Sequence, residues 1–277
     1  MYVGMLTAPM HSKDIFEVIE FAEMANIKGL EVATYPGSKH LDPIKIDKQK
    51  LKKVREKLES SSRIISSLAY YDCGCTDSKR AKKVQEIAIK VIDLANALDV
   101  KVVCMLSGFP LKGMTKIQTI REYLPKWFTP VLKHARQKGI KIALENWYQT
   151  NLQGLDTFEE MFKAIPDENL GLNFDPSHLV HQGCDYLMAV KMFKERIFHT
   201  HAKDTYIDED VKRKVGVYAE GWWRYVLPGF GIVRWGEYIS CLAHCGYDGV
   251  LSIEHEDLSQ PLEEGFIKAG WFLESFC

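Results

Sequence analysis

The sequence Gly246-Tyr247-Asp248-Gly249-Val250 joins a segment with helical periodicity to an apolar, strand-like run. The same order recurs at residues 26–30 and 98–102, where a helical pattern ends, a short turn follows and an apolar strand begins. Regular alternation of short apolar runs with helical segments is typical of a parallel α/β architecture. These connections therefore indicate a fold built from one repeated strand–helix unit.

Eight such units follow one another along the 277 residues. The predicted strands cover residues 3–7, 28–33, 64–69, 102–106, 140–145, 170–174, 197–201 and 249–254, and the predicted helices cover residues 15–25, 48–60, 78–98, 117–138, 158–165, 186–193, 235–245 and 262–276. A doubly wound sheet is the alternative, but no G-x-G-x-x-G follows the first predicted strand. The pattern and the lack of a Gly/Ser/Pro-rich linker predict an α/β fold, a (β/α)8 TIM barrel that forms a single domain over residues 1–277.

One connection is much longer than the others. About thirty residues, 203–234, separate the seventh predicted strand from its helix and include the charged run 208–214 and the pair Trp222-Trp223. Loops of this length inside a compact domain are usually functional or disordered. The two tryptophans argue against disorder, so we expect an ordered, functional extension.

Composition and charge exclude several classes of protein. The chain has 36 basic and 37 acidic residues and a net charge of −1, which does not favour a nucleic-acid-binding surface. No apolar run approaches the ~20 residues of a membrane helix, and the first 25 residues lack the order of a signal peptide. Seven scattered cysteines form neither a disulfide framework nor paired zinc motifs. We expect a cytoplasmic protein with no nucleic-acid or membrane partner.

Polar residues close four consecutive predicted strands: Glu145, Asp175, His201 and Glu254. In a barrel of this type, reactive groups lie at the carboxyl ends of the strands. Any one of these residues alone could be a strand-end group satisfied by a helix N-terminus. Three carboxylates and an imidazole together need a cation to offset their repulsion. Oxygen-rich ligation with one nitrogen suits Mn²⁺, Mg²⁺ or Co²⁺ better than a thiolate-type zinc site, although Zn²⁺ also remains open.

Five further residues lie near the same face of the predicted barrel: Glu31, Trp147, His178, Lys203 and Arg224. We predict that they bind the substrate, through a carboxylate and an imidazole near the metal, an aromatic wall, a cation beside the seventh strand and a lid residue in the long connection. Each has an ordinary alternative. Glu31 could be a solvated carboxylate, Trp147 a packed aromatic and His178 a capping histidine. Lys203 could form a surface ion pair, and the long connection that carries Arg224 could form a subunit interface.

Several short motifs at these strand ends jointly resemble the xylose isomerase-like TIM-barrel superfamily of sugar isomerases and epimerases, relatives of the AP endonuclease 2 family. The motifs are Gly29-Leu30-Glu31-Val32, Leu144-Glu145-Asn146, Asn173-Phe174-Asp175-Pro176-Ser177-His178, His199-Thr200-His201-Ala202-Lys203-Asp204, residues 227–235 and residues 246–257. The resemblance spans nearly the whole chain. It implies that Glu145, Asp175, His201 and Glu254 are metal ligands, that Glu145 and Glu254 are the acid/base pair, and that His178 touches the substrate.

The resemblance implies a divalent-metal-dependent isomerase or epimerase acting on a sugar or sugar phosphate. A single divalent ion, with Mn²⁺ favoured, would polarise a carbonyl and acidify the neighbouring C–H bond. Glu145 and Glu254 would then exchange a proton with the substrate through a metal-bound cis-enediolate. The expected partners are a small-molecule carbohydrate and further copies of the chain in a homodimer or homotetramer.

Other functions remain open at this stage. The arginine that closely follows the strand-7 histidine in ketose 3-epimerases has no counterpart here, and Arg224 is the nearest candidate. A metal-dependent lyase or dehydratase acting on a cyclic polyol or hydroxy acid uses the same ligands. An AP endonuclease-like hydrolase would need extra histidines, where this chain has Tyr70-Tyr71-Asp72 and Leu106-Ser107-Gly108. A binding protein without catalytic activity is the alternative from a different class.

Overall fold

Eight short segments form the parallel strands of a closed barrel in the computed structural model, which describes residues 1–45 and 47–277. The barrel strands are β1 (Tyr2–Leu6), β2 (Gly29–Ala33), β3 (Ile64–Tyr70), β4 (Val102–Met105), β5 (Lys141–Glu145), β6 (Leu170–Phe174), β7 (Ile197–Ala202) and β10 (Val250–Ile253). Around the barrel the order is β1-β10-β7-β6-β5-β4-β3-β2. The prediction of a (β/α)8 TIM barrel is confirmed.

Helices connect the strands and cover the outside of the barrel. They are α1 (Ile15–Met24), α2 (Lys48–Ser61), α3 (Ala81–Ala97), α4 (Lys116–Glu122), α5 (Leu124–Gln137), α6 (Leu155–Ala164), α7 (Ser177–Val180), α8 (Tyr186–Met192), α9 (Glu209–Val215), α10 (Trp235–His244) and α11 (Leu262–Glu274). Asp14 begins α1 with a capping box, in which its carboxylate accepts from the backbone N–H of Glu17 while the Glu17 side chain accepts from Asp14. Within the described ranges, no helix has the length and apolarity needed to cross a membrane.

The single helix predicted over residues 117–138 is instead two helices, α4 and α5, which meet at Tyr123. Pro125 lies in the first turn of α5. A proline is tolerated there because that position needs no N–H donor, but it cannot continue a preceding helix. Pro125 therefore marks the break in the sequence. The prediction of one helix failed because the amphipathic periodicity continues through both helices.

Alternation along the strands separates the outer core from the barrel interior. On β5 and β6, Leu144 and Phe174 join the large core under the helices. The alternate positions, Ala143 and Glu145, face inward, and Ala143 packs in a small separate cluster with Leu6, Ala69 and Cys104. Inward positions near the carboxyl end are thus free to carry polar side chains into the mouth of the barrel.

The long connection is an ordered excursion (residues 203–234) between β7 and α10. It contains β8 (Asp204–Ile207), α9 and β9 (Trp223–Val226), and β8 and β9 pair as an antiparallel ribbon. The return segment folds around the buried carboxylate of Asp204, which accepts from the backbone N–H groups of Gly229, Gly231 and Val233 and from the Trp235 indole. A Cβ at Gly231 would lie 2.3 Å from Asp204 Oδ1, so this close approach requires glycine.

Candidate metal centre and active site

Strand register brings the four predicted ligands together. Glu145 is the last residue of β5 and pairs with Asn173, two residues before Asp175. His201 on β7 pairs with Ser252, two residues before Glu254. Because inward positions alternate, the ligand candidates all point into the barrel from its carboxyl end.

The side-chain atoms of this cluster converge within a few ångströms. Ligand atoms of Glu145, Asp175, Glu254 and His178 all lie within 4.8 Å of one another. His201 Nδ1 lies 3.0 Å from Glu254 Oε2, 3.6 Å from Glu145 Oε1 and 3.8 Å from Asp175 Oδ2. The structure therefore assembles all four predicted ligands, with His178 beside them.

Two atoms of the cluster fit a metal ion. Asp175 Oδ2 and His201 Nδ1 are buried and form no hydrogen bond of good geometry among the described residues, but charged groups face them: the Lys203 ammonium lies 3.2 Å from Oδ2 and Glu254 Oε2 lies 3.0 Å from Nδ1. The other oxygen of Asp175 accepts from the backbone N–H of Ser177 at 2.8 Å, so Oδ2 is the oxygen that faces the cluster. Buried polar atoms normally have a well-directed hydrogen bond, and two atoms without one beside two further carboxylates are a donor set that suits a divalent cation.

Glu31 orients His201. Glu31 Oε2 lies 3.0 Å from His201 Nε2 and also accepts from the Ser252 hydroxyl at 2.7 Å, while Oε1 accepts from the Tyr71 hydroxyl. Burial opposes ionisation of Glu31, but His201 and His199 outweigh it and hold the pKa of this carboxyl at about 2. With a metal bound, the carboxylate would take the Nε2–H of His201 and leave the Nδ1 lone pair for the metal.

Two predicted substrate-binding residues lie buried beside the cluster. Glu31 has no exposed surface and lies behind His201, and its contact with a polyol stays a prediction. Lys203 is 1% exposed, and the surface ion pair considered for it is wrong. Its ammonium lies 2.5 Å from Glu254 Oε2 and 3.2 Å from Asp175 Oδ2.

Lys203 and His201 balance part of the negative charge of the cluster. Burial lowers the pKa of both groups, but the surrounding carboxylates outweigh burial: Glu254 and Asp175 raise the pKa of Lys203, and Glu31 and Glu254 raise that of His201 well above its usual value. In the absence of a metal, a protonated His201 supplies the missing positive charge.

The two candidate acid/base carboxylates differ in their environments. Burial raises the pKa of both, but hydrogen bonds from His178 and His201 reverse the effect at Glu145 and hold its pKa below the usual value. At Glu254 burial prevails and the pKa is raised. Two carboxyl groups with pKa values shifted in opposite directions are typical of an acid/base pair.

A cavity of about 690 Å³ opens above the cluster. Of the predicted site residues, Glu145, Trp147, His178 and Glu254 line it. Its other walls come from residues that were not predicted, chiefly Tyr71, Tyr148, Tyr225 and Glu256. Tyr71 follows β3 directly and Tyr148 lies three residues after β5, so a search of the strand ends that included aromatic side chains would have found them.

Arg224 lies away from this cavity. Its guanidinium pairs with Asp257 at 3.1 Å, and 54% of its side chain is exposed. The described residues that line the cavity do not include it. The expectation that Arg224 acts as a lid residue is therefore not supported by its position.

A second buried group of ionisable side chains lies deeper in the barrel. Glu31, Cys104 and His199 have potential ligand atoms within 4.8 Å of one another. Both ring nitrogens of His199 already have partners, Asn173 Oδ1 at 2.9 Å and the Ser67 hydroxyl at 3.2 Å. Glu31 also has its own partners, His201, Ser252 and Tyr71. This group is therefore a hydrogen-bonded network below the cluster.

Comparisons with known proteins agree with the barrel fold. The family model described as xylose isomerase-like TIM barrel matches residues 19–275. The uncharacterized protein YfiH of Bacillus subtilis is 28% identical over 285 residues, covering 90% of each chain. An inosose dehydratase of Clostridium perfringens is 27% identical over 263 residues, covering 87% of this chain and 82% of that protein.

Among solved structures, the D-psicose 3-epimerase of Clostridium cellulolyticum H10, crystallised with D-tagatose, superimposes with a TM-score of 0.77. The sequences are 16% identical, and the match covers 100% of this chain and 98% of that chain. At this level of identity the likeness concerns the fold.

Proposed function

Because this chain belongs to the xylose isomerase-like TIM-barrel family, we propose that it is a divalent-metal-dependent sugar isomerase or epimerase. It moves a proton at the carbon next to the carbonyl of a sugar or sugar phosphate. The observation that supports this most is the convergence of Asp175 Oδ2 and His201 Nδ1, neither of which forms a hydrogen bond of good geometry among the described residues, with the carboxylates of Glu145 and Glu254.

Glu145, Asp175, His201 and Glu254 would hold the metal, for which oxygen-rich ligation favours Mn²⁺ and also accepts Mg²⁺, Co²⁺ or Zn²⁺. A bound divalent ion would polarise a substrate carbonyl and acidify the neighbouring C–H bond. The protein itself supplies the orientation of the ligands, through Glu31 behind His201 and Ser177 behind Asp175. It also excludes water from the buried carboxylates.

Glu145 and Glu254 would transfer the proton. In the barrel, β6 and β7 lie between β5 and β10, so the two carboxylates reach the cavity from different sides. Glu145, whose pKa is lowered, is ready to accept a proton, and Glu254, whose pKa burial raises, holds one more readily. Removal of a proton by one carboxylate and its return by the other supports epimerisation or isomerisation.

The cavity suits a sugar-like substrate. Trp147, Tyr148 and Tyr225 provide aromatic surfaces for the apolar face of a ring. Glu256, from the same walls, offers a carboxylate for hydroxyl groups, and the contact of His178 with the substrate stays a prediction. A ligand with alternating apolar faces and hydroxyl edges matches this lining.

A dehydratase acting on a cyclic polyol is the second candidate, favoured by the inosose dehydratase that matches 87% of the chain. Dehydration begins with the same removal of a proton beside a carbonyl. It then requires a proton donor for the departing hydroxyl, and Glu254 is assigned this role because burial raises its pKa. The two candidates differ in the fate of the substrate after the first proton transfer.

Metal content tests the site. We expect elemental analysis of the purified protein to find one divalent metal per chain, and Asp175→Asn to lose it. Glu264→Gln, which changes an exposed carboxylate on α11, is the matched control and should retain the metal. A wild-type protein that neither carries nor takes up a divalent ion would contradict the proposed function.

Incubation with a panel of ketoses, ketose phosphates and inososes in D₂O separates the two reactions. Deuterium at the carbon beside the carbonyl, together with an epimer or isomer, supports the first candidate. A new ultraviolet-absorbing unsaturated ketone supports the second. Glu254→Gln should abolish either outcome, and turnover that is unchanged in this variant would count against both.

A further inference from the structure

The excursion places one side chain directly on the candidate site. Tyr225 lies on β9, where it pairs with Thr205 of β8, and its hydroxyl is 2.6 Å from Nδ1 of His178. Its ring also lies under the Lys203 ammonium, 4.4 Å from the ring centre. Because His178 is 1% exposed, this contact leaves its Nδ1 no access to solvent.

The opposite ring nitrogen of His178 faces carboxylates. Nε2 lies 3.1 Å from Glu145 Oε1 and 3.5 Å from Asp175 Oδ2. The Lys203 ammonium also lies 3.3 Å from Nε2, but its three hydrogens have closer acceptors in the carboxylates of Glu254, Glu256 and Asp175. An ionised carboxylate only accepts hydrogen bonds, so the hydrogen of a neutral imidazole belongs on Nε2. Nδ1 then carries the lone pair, and the Tyr225 hydroxyl donates to it.

We propose that Tyr225 is a positioning residue that holds His178 in the tautomer with its hydrogen on Nε2. In this state His178 donates a hydrogen bond to Glu145 and is kept out of metal coordination, because a nitrogen that carries a hydrogen has no lone pair for a metal. This inference rests on the metal site of the proposed function. It gives a role to Tyr225, which neither the sequence motifs nor the strand-end positions single out.

The same reasoning separates the two histidines of the cluster. By distance alone, the group of mutually close ligand atoms contains His178 rather than His201. Their surroundings on the far nitrogen differ, however. Nε2 of His201 lies 3.0 Å from the acceptor Glu31, with the Asn173 amide and the Tyr71 hydroxyl beside it, whereas a hydroxyl donor, Tyr225, occupies Nδ1 of His178. The partners thus make His201 a ligand through Nδ1 and His178 a hydrogen-bond donor through Nε2.

Nitrogen-15 NMR of histidine-labelled protein tests this directly, because protonated, unprotonated and metal-bound ring nitrogens have distinct shifts. The His178 signals are identified by their loss in His178→Gln. In the metal-free wild type we expect the Nε2–H tautomer, unchanged on addition of Zn²⁺. In Tyr225→Phe we expect both tautomers, and a His178 nitrogen that becomes coordinated when Zn²⁺ is added.

Tyr148→Phe is the matched control. Tyr148 lines the same cavity, but its hydroxyl accepts from the Gln149 side chain rather than contacting His178. The His178 tautomer should be unchanged in this variant. A His178 spectrum that is identical in wild type and Tyr225→Phe, or an imidazolium with both nitrogens protonated in the wild type, would overturn the proposal.

A double-mutant cycle with Zn²⁺ affinity provides a second readout. Tyr225→Phe should change the Zn²⁺ dissociation constant by about threefold or more in the wild-type background and should have no effect in His178→Gln. Equal changes in both backgrounds would mean that Tyr225 acts on the fold and not through His178. Should no histidine signal respond to Zn²⁺, the metal site itself fails, while the metal-free spectra still decide the role of Tyr225.

Discussion

Two buried aspartates, Asp175 at the barrel mouth and Asp204 at the base of the excursion, have opposite surroundings although neither has any exposed surface. The carboxylate of Asp204 is surrounded by neutral donors, which are the N–H groups of Thr205, Gly229, Gly231, Val233 and the Trp235 indole. Asp175 accepts one backbone hydrogen bond, from Ser177, and its second oxygen faces charged groups, with the Lys203 ammonium 3.2 Å away.

The electrostatics differ in the same way. Burial raises the pKa of Asp204, and its neutral donors offset only part of that effect. At Asp175 burial is outweighed by Lys203 and His178, and the pKa falls below the usual value. The carboxylate of Asp204, which accepts only from neutral N–H groups, holds the excursion together. The carboxylate of Asp175, which lies among charged groups, is available to a ligand. Substitutions at the two sites should therefore have separable effects.

The largest effect is expected for Asp175→Asn. We expect kcat/KM to fall about 1000-fold or more, because the metal would lose a charged ligand. The metal-free variant should melt within about 4 °C of the wild type, since Lys203 keeps Glu254 and Glu256 as partners. Metal analysis and thermal unfolding measure the two quantities. Retention of the metal together with activity would show that Asp175 Oδ2 is not a ligand.

Asp204→Ala should show the reverse pattern. Removal of the carboxylate leaves several buried N–H groups of the excursion without an acceptor, and we expect the free energy of unfolding to fall by about 3 kcal/mol. Urea unfolding measures this loss, and metal content at low temperature should be unchanged. A loss below about 1 kcal/mol would mean that the excursion is held by packing and not by Asp204.

The contrast also explains what the sequence could predict. Glu145, Asp175, His201 and Glu254 were identifiable because strand alternation and the active face of the barrel depend only on local pattern. The tryptophans of residues 203–234 likewise predicted that this connection is ordered.

Roles that depend on distant partners were not accessible in this way. Glu31 lies 170 positions from His201, and no local spacing records that their side chains meet. Lys203 has the appearance of a surface cation because the sequence does not show that Glu254 and Tyr225 enclose it. Burial and pairing across the barrel mouth are properties of the closed fold.

Glu31→Gln tests the orientation of His201 and should have an intermediate effect. An amide can still touch His201 Nε2 but cannot stabilise the imidazole as a carboxylate does, so we expect metal affinity to fall 10- to 100-fold, as is typical of such partners. Competition with a chelator measures the change. Unaltered affinity would indicate that Ser252 and Tyr71 suffice to hold the network.

The same variant should change the acid stability of the metal-free protein. The pKa of Glu31 is lowered from 4.5 to about 2 on folding. Its stabilising contribution is therefore complete above pH 4.5 and is lost as the pH falls through about 2. Glu31→Gln should flatten the decline of stability in that interval, as measured by urea unfolding at several pH values. A wild-type decline that persists unchanged would assign it to other carboxylates.

The smallest effect is expected for Arg224→Ala, on the outer surface of the excursion. Its pair with Asp257 is half exposed, and exposed ion pairs contribute at most about 1 kcal/mol. We therefore expect less than about a twofold change in kcat/KM and little change in stability, in contrast to the buried charges at the mouth. Steady-state kinetics on the substrate identified in D₂O measure it. A tenfold or greater loss would mean that the excursion closes further over the cavity during turnover, bringing Arg224 to the substrate as a lid residue.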